Sequence, residues 1–172
     1  MDIIAKQFTS IGGLQDTLLP GLRSDSQYRG FKYGGGGRVA QVHHCQNEHH
    51  WIFTCEVPAG GAGSSQGEVA VFDSLAGSEA FLSSAIKRNL FDIAYPKGSK
   101  ADTLLINRRR AQAQRGGTQC GDFCIAYMVA FAHGNSFAQM EQQTFDQKAM
   151  RAHLVDCLQK KTFTRFQLRG DR

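Results

Sequence analysis

The chain has 172 residues, about the size of one domain, and we expect a single domain over residues 1–172. Hydrophobic residues make up 41% and charged residues 20% of the sequence, which excludes a disordered chain because this apolar content can offset the entropy of ordering. The formal net charge of +5 favours acidic partners but does not indicate a fold.

The sequence disfavours membrane and nucleic-acid partners. The longest apolar run, residues 123–132, is about half as long as a segment that spans a bilayer. The N-terminal residues lack the basic and apolar stretches of a signal peptide. The basic run at residues 108–110 has no interleaved aromatic residues and is typical of a solvated loop. We therefore expect a soluble protein that binds neither nucleic acid nor membrane.

The cysteines indicate a reducing compartment. Five cysteines with no regular spacing do not match a disulfide framework. We expect a cytoplasmic or nuclear protein in which most of these thiols are small buried apolar groups. The five are Cys45, Cys55, Cys120, Cys124 and Cys157.

Two glycine-rich segments predict surface loops. Residues 34–37 are four consecutive glycines, and residues 58–67 read PAGGAGSSQG. Neither segment is followed by the Lys-Ser/Thr pair and helix of a phosphate-binding loop. We therefore predict no nucleotide cofactor.

Three segments have the period of β-strands. Residues 38–45 and 51–57 are rich in β-branched and aromatic side chains, and residues 68–74 place Val69, Val71 and Asp73 on one side. Their short connections predict an antiparallel meander. Residues 101–107 predict a further strand.

Three segments predict helices. Residues 78–90 carry an apolar stripe with Ser78 as N-cap, and residues 145–158 place Met150, Leu154 and Leu158 one turn apart. Residues 121–133 are apolar on every side and end at Gly134, which predicts a buried central helix. The whole pattern predicts an α+β fold around that helix.

Cys120 is the strongest candidate for a nucleophile. It begins the central helix, where unpaired backbone N–H groups and the helix dipole favour a thiolate. Gly121 allows a substrate backbone to approach closely, and the glycines at 116 and 117 predict a tight turn before the sulfur. Cys124, one turn deeper, is expected to be an inert core thiol.

A nucleophilic thiol requires a base, and the base requires an orienting group. His133 lies at the far end of the same helix, roughly 20 Å from Cys120, and His153 is expected at a surface or cap. The base therefore comes from the pairs at 43–44 and 49–50. Asp73, at the end of an apolar strand, is the expected orienting group, although it can also be a turn residue with Ser74.

A zinc site is the alternative for the His-Cys cluster between residues 43 and 55. The cluster lacks the paired spacing of zinc ligands, and strand alternation sends neighbouring side chains to opposite faces. We therefore predict no metal.

The order His50-Trp51, then Val71 to Leu75 (VFDSL), then Gln114 six residues before Cys120-Gly121 resembles the Ulp-type cysteine proteases. That family includes SUMO proteases, some deubiquitinases and the adenoviral protease. Residues 11–16 (IGGLQD), 121–123 (GDF) and 150–154 (MRAHL) resemble the Ulp-like domains of virus- and mobile-element-derived proteins. The similarity covers most of the chain.

The resemblance implies a papain-like fold of the Ulp and adenain type, with a mixed or antiparallel sheet around a helix that starts at the catalytic cysteine. It implies Cys120 as nucleophile, His50 as general base and Asp73 as its orienting group. It also implies Gln114 as an oxyanion donor. Contacts with substrate would come from Trp51, Gly121 and Gln119, the last replacing the aspartate usual before the cysteine. His49 remains the rival of His50 as base.

Two classes of function follow. The first is a cysteine protease or isopeptidase that cleaves after the glycine-containing C-terminal tail of ubiquitin or a ubiquitin-like modifier. A variant of it processes a viral or mobile-element polyprotein at glycine-rich peptides. The second is a catalytically silent module that binds a ubiquitin-like partner. The complete set of four residues favours the enzyme, which we expect to be a monomer without cofactor.

Overall fold

The computed structural model describes residues 1–15, 17, 38–45, 49–57, 67–75, 82–94 and 103–170. Within them the chain forms an α+β fold whose strands and helices follow one another along the sequence. The strands are β1 (Ile11–Gly13), β2 (Arg38–Cys45), β3 (His50–Glu56), β4 (Gly67–Phe72) and β5 (Leu104–Arg109). The helices are α1 (Asp2–Gln7), α2 (Ser84–Ala94), α3 (Cys120–Ala132), α4 (Phe137–Gln142) and α5 (Met150–Lys160). No helix in this part of the chain is long and apolar enough to cross a membrane.

The strands form one mixed sheet in the order β1-β2-β3-β4-β5. The central pairs, β2 with β3 and β3 with β4, are antiparallel, which confirms the predicted meander. The outer strands β1 and β5 pair with β2 and β4 in parallel. Parallel pairing needs a crossover, and between β4 and β5 the crossover contains α2.

Strand alternation divides the apolar side chains between two cores. On β2 and β3, Ala40, Val42 and Phe53 belong to a cluster that contains the residues of α3. Val39 and Ile52 belong to a second cluster that contains the residues of α2. Because helices cover both faces, strands β2 and β3 are buried almost throughout.

Helix α3 is the buried central helix that its composition predicts. Ten of its thirteen residues are buried, and it packs on the central strands. Its end is a Schellman motif, because Gly134 N–H bonds to Phe131 O and Asn135 N–H bonds to Ala130 O. Gly134 has the left-handed φ of +85° that this motif requires. The packing of α3 on the central strands therefore fixes the position of its first residue, Cys120, relative to the sheet.

Two predicted helices begin later than expected. Helix α2 starts at Ser84, with the Ser83 hydroxyl accepting from the Ile86 N–H, although the stripe of Leu82, Ile86 and Leu90 is buried as predicted. Helix α5 starts at Met150 rather than at 145, because Phe145 pairs with Leu168 in an isolated bridge. Leu158 was expected in the apolar stripe of α5, but it is 48% exposed.

Some predictions fall outside the described residues. They are the N-cap at Ser78, the glycine run at 34–37, the loop at 58–66 and the first two residues of the predicted strand at 101–107. The sequence did not predict α1, β1 or α4. These are short elements of three to six residues, too short to show a period.

Four glutamine side chains join distant segments through a shared geometry. In each, the amide oxygen accepts the N–H of one residue and the amide nitrogen donates to the carbonyl of the same residue, over 2.6–3.2 Å. The side-chain amide thus bonds to the backbone in the way that a peptide unit of a neighbouring strand does, since it offers the same donor and acceptor. The pairs are Gln7 with Phe163, Gln41 with Gln15, Gln112 with Phe145, and Gln147 with Arg115.

Candidate active site

His50 and Asp73 form a buried pair at one end of the sheet. His50 Nε2 lies 2.7 Å from Asp73 Oδ1, with side chains that are 1% and 10% exposed. His50 opens β3, and Asp73 directly follows β4, so the antiparallel register of these strands brings the two residues to the same end. An imidazole held in this way donates from Nε2, and its Nδ1 is the nitrogen that can take a proton from a third group.

The environment of Asp73 keeps its carboxylate ionised. Burial acts to raise its pKa, but the hydrogen bonds from His50 and from the Leu75 N–H outweigh burial and hold the pKa below its ordinary value. Electrostatic interaction with His50 and Arg108 acts in the same direction. An ionised carboxylate here orients the imidazole and stabilises its protonated form.

Cys120 lies at the first position of α3 and is 4% exposed. The N-cap residue, Gln119, makes no side-chain capping bond, so its side chain does not block the first-turn N–H groups. Such groups at a helix N-terminus stabilise negative charge on a nearby sulfur or oxygen. The sequence predicted this placement of Cys120.

Cys124 is the core thiol that its position predicts. Burial raises the pKa of Cys124 well above its ordinary value, and the neighbouring Cys120, Asp73 and Cys45 act in the same direction. The pKa of Cys55 is also raised, chiefly by burial. Both are therefore protonated and unreactive at neutral pH. A Cβ built at Gly121 would contact Trp51, so the start of α3 at Cys120 lies beside the start of β3, where His50 is.

A cleft of about 1080 Å³ opens at Cys120. Its polar lining includes His49, Thr118, Asp122 and Arg151. Its apolar lining comes from five elements of the fold and consists of Met1, Ile3, Val42, Trp51, Ile125 and Leu154. A largely apolar cleft with a few polar groups at one end is the common form of a binding site.

Trp51 and Gly121 face each other beside the thiol. A Cβ added at Gly121 would lie 3.8 Å from Trp51 Cδ1, which is ordinary van der Waals contact. Trp51 is held in place by stacking on His44, with ring centroids 4.4 Å apart. The missing side chain at Gly121 therefore leaves a gap of about the size of a methyl group between the indole and the first turn of α3.

Gln114 is tied to the turn that contains Asp73. Its N–H bonds to the Ser74 carbonyl at 2.9 Å, and its Oε1 accepts from the Ser74 hydroxyl at 2.6 Å. Its Nε2 donates to the Gly116 carbonyl at 2.6 Å, which uses one of the two amide hydrogens. The amide nitrogen thus faces the loop that leads into Cys120.

Of the predicted site residues, Cys120, Trp51 and Gly121 line the cleft, whereas Gln119 does not, and neither do His50, Asp73 and Gln114. The Gln119 Nε2 donates to the Gln147 carbonyl at 3.3 Å, and its Oε1 accepts from Gln147 Nε2. Gln147 also pairs with both backbone groups of Arg115, so it holds the loop at 115–119 at two points. Sequence reasoning missed Gln147, because no local pattern marks a long-range side-chain bridge.

Asp122 and Arg151 form the main ion pair of the cleft. Arg151 Nη2 lies 2.9 Å from Asp122 Oδ2 and also donates to the Thr118 carbonyl at 3.2 Å. The Asp122 side chain is 6% exposed and that of Arg151 is 62% exposed. A buried carboxylate in the first turn of α3 requires such a partner. The GDF and MRAHL segments of the sequence contain both residues, but their pairing was not predicted.

The other histidines occupy different environments. His49 is exposed and has a left-handed φ of +49°, whereas His43 is buried and bonds to Thr54 Oγ1 at 2.7 Å. His133 is the C-cap of α3, and His153 is half-buried and bonds to the Thr164 carbonyl. The described residues contain no group of three or more His, Cys, Asp or Glu side chains able to hold a metal ion.

The site thus combines a thiol at a helix N-terminus, a buried imidazole–carboxylate pair and an amide fixed near the loop before the thiol. These groups can activate a nucleophile and stabilise an oxyanion in acyl transfer. No protein-family model matches the chain, and no curated protein is similar enough to it in sequence to count as a relative.

Proposed function

We propose that this protein is a cysteine peptidase with the papain-like fold of the Ulp type. Its substrate is the glycine-containing C-terminal tail of ubiquitin or a ubiquitin-like modifier. The observation that carries the proposal is the buried His50–Asp73 pair at the sheet end where Trp51, the neighbour of His50, faces Gly121, the neighbour of Cys120. A buried imidazole bonded to an ionised carboxylate beside a helix-terminal thiol is the arrangement that a thiol nucleophile needs.

In the first half of the reaction, His50 Nδ1 takes the Cys120 proton and the thiolate attacks the scissile carbonyl carbon. The carbonyl oxygen becomes an oxyanion, which receives hydrogen bonds from the Cys120 N–H and the second Nε2 hydrogen of Gln114. When the intermediate collapses, the C–N bond breaks and the imidazolium donates its proton to the leaving amine. The acyl group remains on Cys120 as a thioester.

In the second half, His50 removes a proton from water, and the hydroxide attacks the thioester carbonyl. The C–S bond breaks, the thiolate regains the proton from His50, and the carboxylic acid product leaves. Asp73 stays ionised throughout and stabilises the imidazolium in both halves.

The surface that Trp51 and Gly121 form beside Cys120 in the cleft supports a glycine-containing substrate. A side chain on the substrate next to the scissile bond would have to fit against both the indole and the first turn of α3. Glycine needs the least room and allows its backbone to lie close to both surfaces.

The test is turnover and covalent labelling with C-terminally activated ubiquitin and SUMO. We expect one of them to label the intact protein at Cys120, and Cys120→Ala to abolish turnover. The control is Cys157→Ala, which removes another buried thiol from α5 and is expected to retain activity. His50→Ala is expected to lose about 10²–10⁴ in kcat, whereas the exposed His49→Ala retains most activity.

Three results would change the proposal. Turnover by Cys120→Ala would exclude Cys120 as nucleophile. If neither modifier reacts although Cys120 alkylates readily, the polyprotein-processing endopeptidase becomes the better description. If Cys120 also fails to alkylate in the folded protein, the silent binding module remains.

A further inference from the structure

The turn after β4 contacts both the base and the oxyanion donor of the proposed reaction. Asp73 Oδ1 accepts from His50 Nε2 and, at 2.9 Å, from the Leu75 N–H, which closes the turn. Between Asp73 and Leu75 lies Ser74, whose carbonyl and hydroxyl both bond to Gln114. Ser74 therefore lies between Asp73, which bonds to the proposed base, and Gln114, whose amide nitrogen faces the loop before Cys120.

The bonding partners determine which way the Gln114 amide points. The Gly116 carbonyl can only accept, so the atom 2.6 Å from it must be the amide nitrogen. Oε1 then faces Ser74, and the hydroxyl must donate to it, at 2.6 Å. The opposite orientation would place two acceptors, Oε1 and the Gly116 carbonyl, against each other.

Burial makes the hydroxyl difficult to replace. Ser74 is 4% exposed, so water has little access to the place of its Oγ if that atom is removed. A partly buried amide oxygen that loses its donor favours rotation of the side chain toward other partners. Such a rotation would move Nε2 away from the oxyanion.

We propose that Ser74 is a positioning residue for Gln114. Its hydroxyl fixes the amide so that Nε2 faces the loop into Cys120, while the neighbouring Asp73 holds His50. This inference rests on the proposed function, in which Gln114 donates to the oxyanion. One turn of the chain would thus set the relative positions of the base and of the oxyanion donor.

The kinetic test uses Ser74→Ala with whichever activated modifier, ubiquitin or SUMO, the intact protein turns over. We expect kcat to fall at least about tenfold, and by no more than the loss of about 10²–10³ expected for Gln114→Ala, with KM unchanged. The double variant Ser74→Ala/Gln114→Ala is expected to be no slower than Gln114→Ala alone, because both changes remove the same hydrogen bond from Gln114 to the oxyanion. Ser74→Thr, which keeps the hydroxyl, is expected to recover most of the rate.

A loss of stability alone would not produce this pattern. The rate and pH dependence of Cys120 alkylation by iodoacetamide are expected to be the same in Ser74→Ala and the intact protein, because alkylation forms no oxyanion. The matched control is Ser136→Ala, which removes the capping-box hydroxyl of α4 at the opposite end of α3 and leaves kcat unchanged. A wild-type kcat in Ser74→Ala, or additive losses in the double variant, would overturn the role of Ser74.

A second measurement separates this inference from the proposed function. In ¹H–¹⁵N NMR spectra of the protein without substrate, the Gln114 side-chain NH₂ signals are expected to shift in Ser74→Ala. If the intact protein turns over neither modifier, the proposed function fails, and the NMR result alone decides whether Ser74 orients Gln114. Unchanged Gln114 signals would refute that orientation.

Discussion

At the scale of single residues, two histidines show how environment assigns a role. His43 and His50 both lie in strands of the same sheet and are both buried. His43 bonds to a neutral hydroxyl, and burial lowers its pKa to about 3, so it stays uncharged. His50 bonds to an ionised carboxylate, which can stabilise a positive imidazolium. Only the second is suited to carry a proton during a reaction.

Gly121→Ala is expected to lower activity without lowering stability. The φ of Gly121 is not in the left-handed region, and the new Cβ would make ordinary contact with Trp51, so the backbone is not strained. Alanine in the first turn of α3 is expected to add up to about 1 kcal/mol to the free energy of unfolding. The methyl group, however, narrows the space for the substrate. We therefore expect kcat/KM for the activated modifier to fall while the urea midpoint stays the same or rises.

Gly117→Ala is the control for that change, since nothing lies within 4 Å of a Cβ at Gly117. Its kcat/KM is expected to fall less than that of Gly121→Ala. Equal activity in Gly121→Ala and the intact protein would show that substrate does not lie against the surface formed by Trp51 and Gly121.

At the scale of elements, the glutamine bridges explain how the loops without regular structure hold their shape. Each bridge joins segments between 26 and 156 residues apart. The bridge from Gln147 reaches the loop directly before the nucleophile, whereas the bridge from Gln7 joins the end of α1 to the segment after α5. The same geometry therefore serves the fold at one place and the candidate site at another.

Gln147→Ala and Gln7→Ala are expected to differ in activity but not greatly in stability. At 0.5–1.5 kcal/mol per bond, Gln7→Ala, which removes two hydrogen bonds, is expected to cost about 1–3 kcal/mol in the free energy of unfolding, and Gln147→Ala, which also removes the bond to Gln119, about 1.5–4.5 kcal/mol. Only Gln147→Ala frees the loop at 115–119, so only this variant is expected to lower kcat. Urea unfolding and turnover of the two variants test this, and an equal kcat in both would contradict a role for Gln147 in holding the catalytic loop.

At the scale of the whole molecule, a sheet with helices on both faces collects the candidate site from distant parts of the chain. The proposed nucleophile Cys120 begins α3, the proposed base His50 begins β3, and Asp73 follows β4. All three lie at element ends, where a side chain can leave the core and still be held by rigid backbone. The sheet interior, in contrast, contains polar groups such as His43 and Thr54 that only support the fold.

The buried His43 predicts a stability that falls in mild acid. Its pKa of about 3 in the folded state lies below the ordinary 6.5 of the unfolded state. Between these values the unfolded state binds a proton that the folded state does not, so the free energy of unfolding decreases as pH falls. The slope from this group approaches about 1.4 kcal/mol per pH unit below pH 6. The whole contribution of His43 to the free energy of unfolding is therefore present only above pH 6.5.

Urea unfolding between pH 4.5 and 7 measures this slope, with His43→Gln as the comparison. Glutamine keeps a donor for Thr54 but does not titrate, so its curve is expected to be flatter by the contribution of His43. The pKa of Asp73 is also lowered, so Asp73 makes the free energy of unfolding fall with pH in the same direction. Its contribution changes below pH 3.8, the ordinary pKa of the carboxyl, which lies outside the measured range. Equal slopes in the two proteins would contradict a neutral, buried His43.

The sequence predicted the elements whose periods are long enough to read. The apolar composition of α3, the alternation in β2 to β4 and the stripe around Ile86 and Leu90 each result from local chemistry. It also predicted Cys120 at the start of a helix and His50 and Asp73 near strand ends. These placements depend only on where each element begins or ends, which short-range signals such as Gly134 help to define.

Only the tertiary structure decided which of these residues meet. The register of β3 on β4 pairs His50 rather than His49 with Asp73, because a shift of one residue turns each side chain to the other face. The parallel outer strands, the link from Ser74 to Gln114 and the attachment of Gln119 to Gln147 all join residues far apart in sequence. Local periodicity carries no information about such contacts, since they form only when the helices and the sheet have packed together.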